Sequence, residues 1–179
     1  MKRWLKNPLS ILAEKSGGGL VLDGTRIVEL VPSGKTPETA FESVFDAGQH
    51  VILPGLINLH HHFYQTLTRV YPQALNKELF PWLKTLYPLW AGLTPETMRL
   101  GSRLALAELL LSGCTTASDQ HYVFPAGLEK AIDLQVEEAQ NLGIRVVLCR
   151  GSMDRSQKDG GLPPDSVVQT CDEILADSE

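Results

Sequence analysis

From Leu53 onward, apolar runs of strand length alternate with segments whose apolar residues recur at helical spacing, and the connections between them are short. That alternation constrains the fold more than any other feature. Leu56–His61 reads as a buried strand, and the segments Glu78–Ala91 and Glu96–Leu111 read as helices. Thr115–Asp119 follows as a strand, Gly127–Asn141 as a helix, Ile144–Cys149 as a strand and Pro164–Ala176 as a helix. Helical crossovers return the chain so that successive strands run the same way, which makes a parallel sheet with helices on its faces. Residues 53–179 are therefore expected to hold three βα units of an α/β fold, in either a doubly wound sheet or a (β/α) barrel.

Local punctuation supports these elements. Thr94 can cap the helix that follows, and Pro95 sits at the first helical position, where its missing N–H costs nothing. Gly113 and Gly143 stand where helices should stop. Residues 1–52 are different: short apolar runs separated by Gly17-Gly18-Gly19 and Asp23-Gly24 predict a small antiparallel sheet with hairpins.

Charge and composition exclude several classes of partner. Sixteen Lys and Arg against 21 Asp and Glu give a net charge of −5, which argues against a basic footprint for nucleic acid or an anionic membrane. No apolar run approaches the length of a membrane span, and the start of the chain lacks the apolar core of a signal peptide, so a cytoplasmic location is expected. Cys114, Cys149 and Cys171 lie far apart without a C-x-x-C pair; they are expected to be buried or idle thiols, with Cys114 and Cys149 at buried strand positions.

His60, His61 and His62 close the first strand of the second segment. On an extended strand, side chains two apart share a face, so His60 and His62 should converge and His61 should point away. Two imidazoles at the C-terminal end of a parallel strand form half of a metal site that suits zinc, with iron also possible. The plainer alternative is a histidine run satisfied in the core.

The run Pro54-Gly55-Leu56-Ile57-Asn58-Leu59-His60-His61-His62 resembles the P-G-[LF]-[IV]-[DN]-x-H-x-H signature of the amidohydrolase superfamily. Phe63–Arg69, Phe80–Pro88 and Leu109–Asp119 resemble the branch of 8-oxoguanine deaminases and hydroxyatrazine or triazine hydrolases. The resemblance covers nearly the whole chain. It implies a (β/α)8 TIM-like barrel, preceded by a small antiparallel β-sandwich segment in residues 1–52, with one Zn2+ at the barrel mouth held in part by His60 and His62, and hydrolytic deamination of an oxidised purine base to release ammonia. A triazine or pyrimidine aminohydrolase is the alternative, and a non-catalytic binding module or inactive remnant is the third reading.

A closed barrel needs eight βα units and about 250 residues, so this chain is expected to be the N-terminal part of one. In the family the remaining ligands and the acid/base follow later strands, so no catalytic residue is assigned here. For substrate contacts, the resemblance gives Gln65 the role of an amide that reads the base. His121, at the end of the second strand, either lines the pocket or is satisfied by backbone. Trp82 either walls the pocket or joins Trp90 in a core stripe. A small heterocycle is the expected partner, and a homo-oligomer stays open.

Overall fold

A computed structural model describes residues 1–178, which divide into two compact units, Met1–Pro54 and Gly55 onward. In the first unit, strands β1 (Lys2–Lys6), β3 (Gly19–Asp23), β4 (Arg26–Val31) and β5 (Ser43–Asp46) form one sheet in the order β4-β3-β1-β5. The expected Asp-Gly hairpin is β3–β4, paired antiparallel from Asp23↔Arg26. The sheet as a whole is mixed, because β1 pairs β5 in parallel. Strands β2 (Ser10–Ile11) and β6 (Val51–Ile52) add a second parallel pair. Only strands joined by a tight turn are forced antiparallel; β1 and β5 are separated by the whole hairpin and are free to run together. Trp4, Val21 and Val31 make the core of this unit.

The second unit follows the alternation in the sequence. Strands β7 (Leu56–Asn58), β8 (Cys114–His121) and β9 (Arg145–Arg150) pair in parallel in the order β7-β8-β9. Between them run α1 (Leu79–Trp90), α2 (Pro95–Leu111) and α3 (Ala131–Leu142), with α4 (Cys171–Ser178) after β9. The start of α2 is a capping box: Thr94 Oγ1 accepts from the Thr97 N–H, and Thr97 Oγ1 accepts from the Thr94 N–H. Gly143 ends α3 in the left-handed conformation at φ 74°.

Among the boundaries that differ from the sequence reading, two have plain local reasons. The strand expected to run to His61 stops at Asn58, whose Oδ1 accepts the His60 N–H at 3.0 Å. This Asx turn offers the backbone a partner other than the ladder. The last helix begins at Cys171, not Pro164, because Thr170 and Glu173 close a capping box, with the Thr170 N–H donating to Glu173 at 2.7 Å and the Glu173 N–H donating to Thr170 Oγ1 at 3.3 Å.

Helices α2 and α3 cover one face of the sheet. Phe63, Ala105, Leu106, Ala117, Ala139 and Ile144 form the core there, and Tyr64, Leu86, Trp90, Met98, Phe124 and Leu128 belong to a larger cluster. The pair is tied by Glu138 of α3, whose carboxylate is 1% exposed and accepts from Arg103 of α2 at 2.7 and 3.0 Å and from Arg99 at 3.4 Å. The strand parity of β9 leaves Val147 and Cys149 on the uncovered face. Cys149 is therefore exposed, against expectation, while Cys114 is buried; Cys171, on α4, is also exposed.

Pro54-Gly55 leads into β7 at the closest approach to β8. A Cβ on Gly55 would lie 2.2 Å from Thr115 Oγ1 and 2.7 Å from Thr115 Cβ, so no other residue fits without moving the strand. Gly55→Ala is expected to destabilise the chain by about 1–3 kcal/mol, the usual cost of overpacking. Adding Thr115→Ala should recover part of that loss, because the two nearest contacts disappear. Urea midpoints of the single and double variants check it; equal midpoints for wild type and Gly55→Ala would show that the strand has room.

Candidate metal and substrate cleft

His60, His61 and His62 lie beyond the end of β7, and His62 directly precedes a 3-10 turn, Phe63–Thr68. Their arrangement is set by bonds to β8, not by strand alternation. The Gln120 N–H donates to the His61 carbonyl at 3.1 Å. The Gln120 carbonyl accepts from His62 Nδ1 at 2.7 Å. A carbonyl only accepts, so Nδ1 carries the proton, and the lone pair of the neutral ring is on Nε2. The His60 and His62 rings stand edge to face with centroids 5.5 Å apart, while the His61 ring packs on Phe63 at 5.2 Å.

Asp119 of β8 completes the attachment from below. It is fully buried, and its two oxygens are each taken: Oδ1 accepts the Phe63 N–H at 2.5 Å and Oδ2 accepts from Gln135 of α3 at 2.6 Å. Burial pushes its carboxyl up to about 6, although both hydrogen bonds favour the ionised form. Burial, followed by the charge of Arg69, lowers His61.

A cleft of ≈ 320 Å³ opens over this segment, lined by the three histidines, Gln65, Thr66, Thr68, Arg69 and Trp82. Gln65 comes from the 3-10 turn, with Nε2 directed at the phenol oxygens of Tyr64 at 3.3 Å and Tyr122 at 3.5 Å. Burial holds the Tyr64 phenol well above its ordinary pKa and pushes Tyr87 up to about 12, so both remain neutral. Arg69 is neutralised by two bonds to Glu108, at 2.7 and 3.2 Å. Trp82 is half-buried on the cleft wall, edge-on to Trp90 at 5.5 Å. Trp90 belongs to the core and donates its indole N–H to Thr68 Oγ1 at 3.1 Å.

The structure thus brings His60, His62, Gln65 and Trp82 to one cleft and leaves His121 out of it. His121 is completely buried, edge-on between Tyr64 at 5.2 Å and Phe124 at 4.8 Å. Its position follows from parity: Ala117, Asp119 and His121 share the buried side of β8, and Gln120 is on the other. The same alternation in the sequence marks Asp119 as a buried carboxylate. Tyr64 and Arg69, also in or beneath the cleft, lie in the Phe63–Arg69 segment but are given no role by the sequence reading, and Tyr122 carries no motif.

The two imidazoles suit a divalent transition metal, since His62 already has the second bond that metal-bound histidines characteristically make, an N–H donated to a backbone carbonyl. Among the described residues no group of three or more His, Cys, Asp or Glu is gathered, so the chain offers two donors.

Burial, the largest cause, pushes His121 down to about 4. A base whose folded pKa is depressed contributes stability that is complete above the unfolded pKa and lost as pH falls towards the folded one. The affected window is therefore about 6.5 down to 4. Asp119, raised, acts in the opposite sense below about 6, so wild type should show a muted acid dependence. His121→Phe removes only the first effect. Its stability relative to wild type should rise by about 2 kcal/mol between pH 8 and pH 5. Urea titrations at the two pH values check this, and a difference that does not change with pH would refute it.

The chain is 57% identical over 181 aligned residues to 8-oxoguanine deaminase of Pseudomonas aeruginosa, covering 99% of this chain and 40% of that protein. It is 33% identical over 153 residues to hydroxydechloroatrazine ethylaminohydrolase of Pseudomonas sp. (strain ADP), covering 84% of this chain and 32% of the relative. Among solved structures, atrazine chlorohydrolase from Arthrobacter aurescens TC1 complexed with zinc superposes with a TM-score of 0.80 at 28% identity, over 98% of this chain and 41% of that one. The chain thus spans about two fifths of the length of the 8-oxoguanine deaminase it matches. Residues 51–178 match the amidohydrolase family, and with β7-β8-β9 and the His-x-His segment in place, the chain belongs to that family.

Proposed function

We propose that the protein, with its barrel complete, is a metal-dependent aminohydrolase that removes an amino group from a small heterocyclic base, 8-oxoguanine in the first instance. The observation that carries this reading is the His60–His62 pair, with Nε2 of His62 left as a donor by the Gln120 carbonyl, in a chain 57% identical to 8-oxoguanine deaminase. His60 and His62 would hold two positions of the metal, zinc by the resemblance to a zinc-containing relative. When bound, such a cation supplies Lewis acidity and brings the pKa of water to about 7. In the net reaction, water adds to the ring carbon bearing the amino group, the C–N bond breaks, and the amine leaves as ammonia while the carbon becomes a carbonyl.

This chain's own residues bind and orient. Gln65 offers an amide to the edge of the base, and an amide can match a ring carbonyl beside an N–H. Trp82 offers an aromatic wall to its face. The cleft bears no unopposed cation from Arg69, which is held by Glu108, and this suits a neutral base rather than a phosphate. A triazine substrate is the second reading, favoured by the likeness to hydroxydechloroatrazine ethylaminohydrolase and to atrazine chlorohydrolase. With two donors gathered, residues 1–179 alone are expected to bind zinc weakly and to show no turnover.

The test is ammonia release by the complete protein from 8-oxoguanine, guanine, cytosine and hydroxyatrazine. The highest kcat/KM is expected on 8-oxoguanine; a preference for hydroxyatrazine would select the second reading. His60→Ala or His62→Ala should lose metal and turnover together. Gln65→Ala should keep metal and lower kcat/KM by about 10-fold or more, since the polar edge of the base loses its partner. A Gln65→Ala protein equal to wild type on all four substrates would remove that residue from the site.

A further inference from the structure

The end of β8 carries more than a sheet requires. We infer that Asp119 is a positioning residue for the metal ligand His62, acting through the Phe63 N–H and seconded by Gln135. This rests on the reading of His62 as a ligand. Three bonds tie the histidine segment to two successive residues of β8: the Gln120 N–H to the His61 carbonyl, the His62 ring to the Gln120 carbonyl, and the Phe63 N–H to the Asp119 carboxylate. The first two use backbone groups that any residue at position 120 supplies. The third depends on the side chain.

The energetics argue that this carboxylate is there to hold something. Asp119 is fully buried and has no salt-bridge partner among the described residues. An apolar residue of the same size would fill the space without the desolvation that a buried carboxyl suffers. What an apolar residue cannot do is accept the Phe63 N–H. That N–H belongs to the peptide joining His62 to Phe63, so its partner fixes the backbone that carries the His62 ring. The other oxygen is held by Gln135, which is completely buried on α3, the helix anchored to α2 through Glu138. The position of His62 is thereby referred to the helical layer and not left to the short strand β7.

Asparagine makes the idea testable. Gln135 Oε1 is buried without a partner, so turning its amide over breaks no other bond and lets it accept from an asparagine Nδ2. The asparagine Oδ1 would then still accept the Phe63 N–H. Asp119→Asn should preserve the arrangement, and Asp119→Leu, of similar size, should lose it.

The direct readout is the tautomer of His62, taken from long-range 1H–15N imidazole spectra of the metal-free chain at alkaline pH, with His62→Gln identifying the signal. Wild type and Asp119→Asn should show the proton on Nδ1, and Asp119→Leu a mixture of tautomers. Chelator competition with zinc alone on the complete protein is the second readout. Asp119→Leu should weaken zinc by about 10–100-fold, the usual effect of losing a partner behind a ligand, with Asp119→Asn close to wild type. Val21→Ala, in the core of the first unit, supplies a destabilised control that should leave the tautomer unmoved. If the Leu variant does not fold, Asp119→Ala replaces it.

The inference is overturned if Asp119→Leu or Asp119→Ala keeps the wild-type tautomer and zinc affinity, if Asp119→Asn loses the Nδ1 proton, or if the core control scrambles the tautomer equally. Failure of the metal reading looks different. His62→Ala would then bind zinc as wild type does, while the tautomer spectra would still decide whether Asp119 sets the ring.

Discussion

The histidine segment is held in place by hydrogen bonds to the last residues of a neighbouring strand, and the most demanding of them ends on a carboxylate removed from water. Burial pushes Asp119 up to about 6, yet both of its oxygens receive N–H donors that favour the charge. Such a group is tolerated only where its bonds are complete, because an unmatched lone pair in the interior costs about 1–3 kcal/mol. The demand propagates outwards. Gln135 must stay on Asp119, α3 must stay on β8, and Glu138 with Arg99 and Arg103 keeps α3 on α2. The cleft geometry is thus a consequence of how the helical layer packs, although no helix other than α1 contributes a side chain to its lining.

Where structure is decided locally, the sequence announces it. Thr94-Pro95, Gly113 and Gly143 mark helix ends through caps and a left-handed residue, and the observed helices α1, α2 and α3 fall where periodicity put them to within a few residues. The misplaced boundaries were also local, but rested on side chains competing with the backbone. Asn58 ends β7 by bonding two residues ahead, and Thr170 with Glu173 starts α4 late. Pairing between distant segments was less legible. Nothing in the short runs of residues 1–52 distinguishes a β1 that pairs β5 in parallel from one that pairs it antiparallel, since both bury the same alternate residues.

The site was legible in composition and only partly in direction. Three successive histidines after an apolar run are visible in any reading, and Gln65 and Trp82 follow within the segment that builds the cleft. Strand alternation predicts that His60 and His62 converge, but the strand ends at Asn58 and the His62 ring is held by the Gln120 carbonyl. His121 is likewise a matter of direction. Its strand-end position suggested the barrel mouth, but its side is shared with Ala117 and Asp119, which face the helices. Parity along β8 separates the two sides, and the same rule applied to β9 separates exposed Cys149 from its neighbours.

The chemistry of the cleft follows from how its polar groups are kept neutral. The Gln65 amide rests on the phenol oxygens of Tyr64 and Tyr122, and burial holds the Tyr64 phenol well above its ordinary value, so that it stays protonated and puts no charge beneath the amide. Arg69 is matched by Glu108 on α2. A ligand entering here meets imidazoles, an amide, hydroxyls and an indole, each able to donate, accept or stack without a counterion. Anionic ligands need an unmatched cation or a helix N-terminus to offset their desolvation. A flat, uncharged heterocycle needs neither, and loses little by leaving water if its edge meets an amide and its face an aromatic ring. With Arg69 already matched by Glu108, a nucleotide phosphate would find no unmatched cation beside the histidine pair, and this supports the proposed reading of an uncharged base without appeal to any family resemblance.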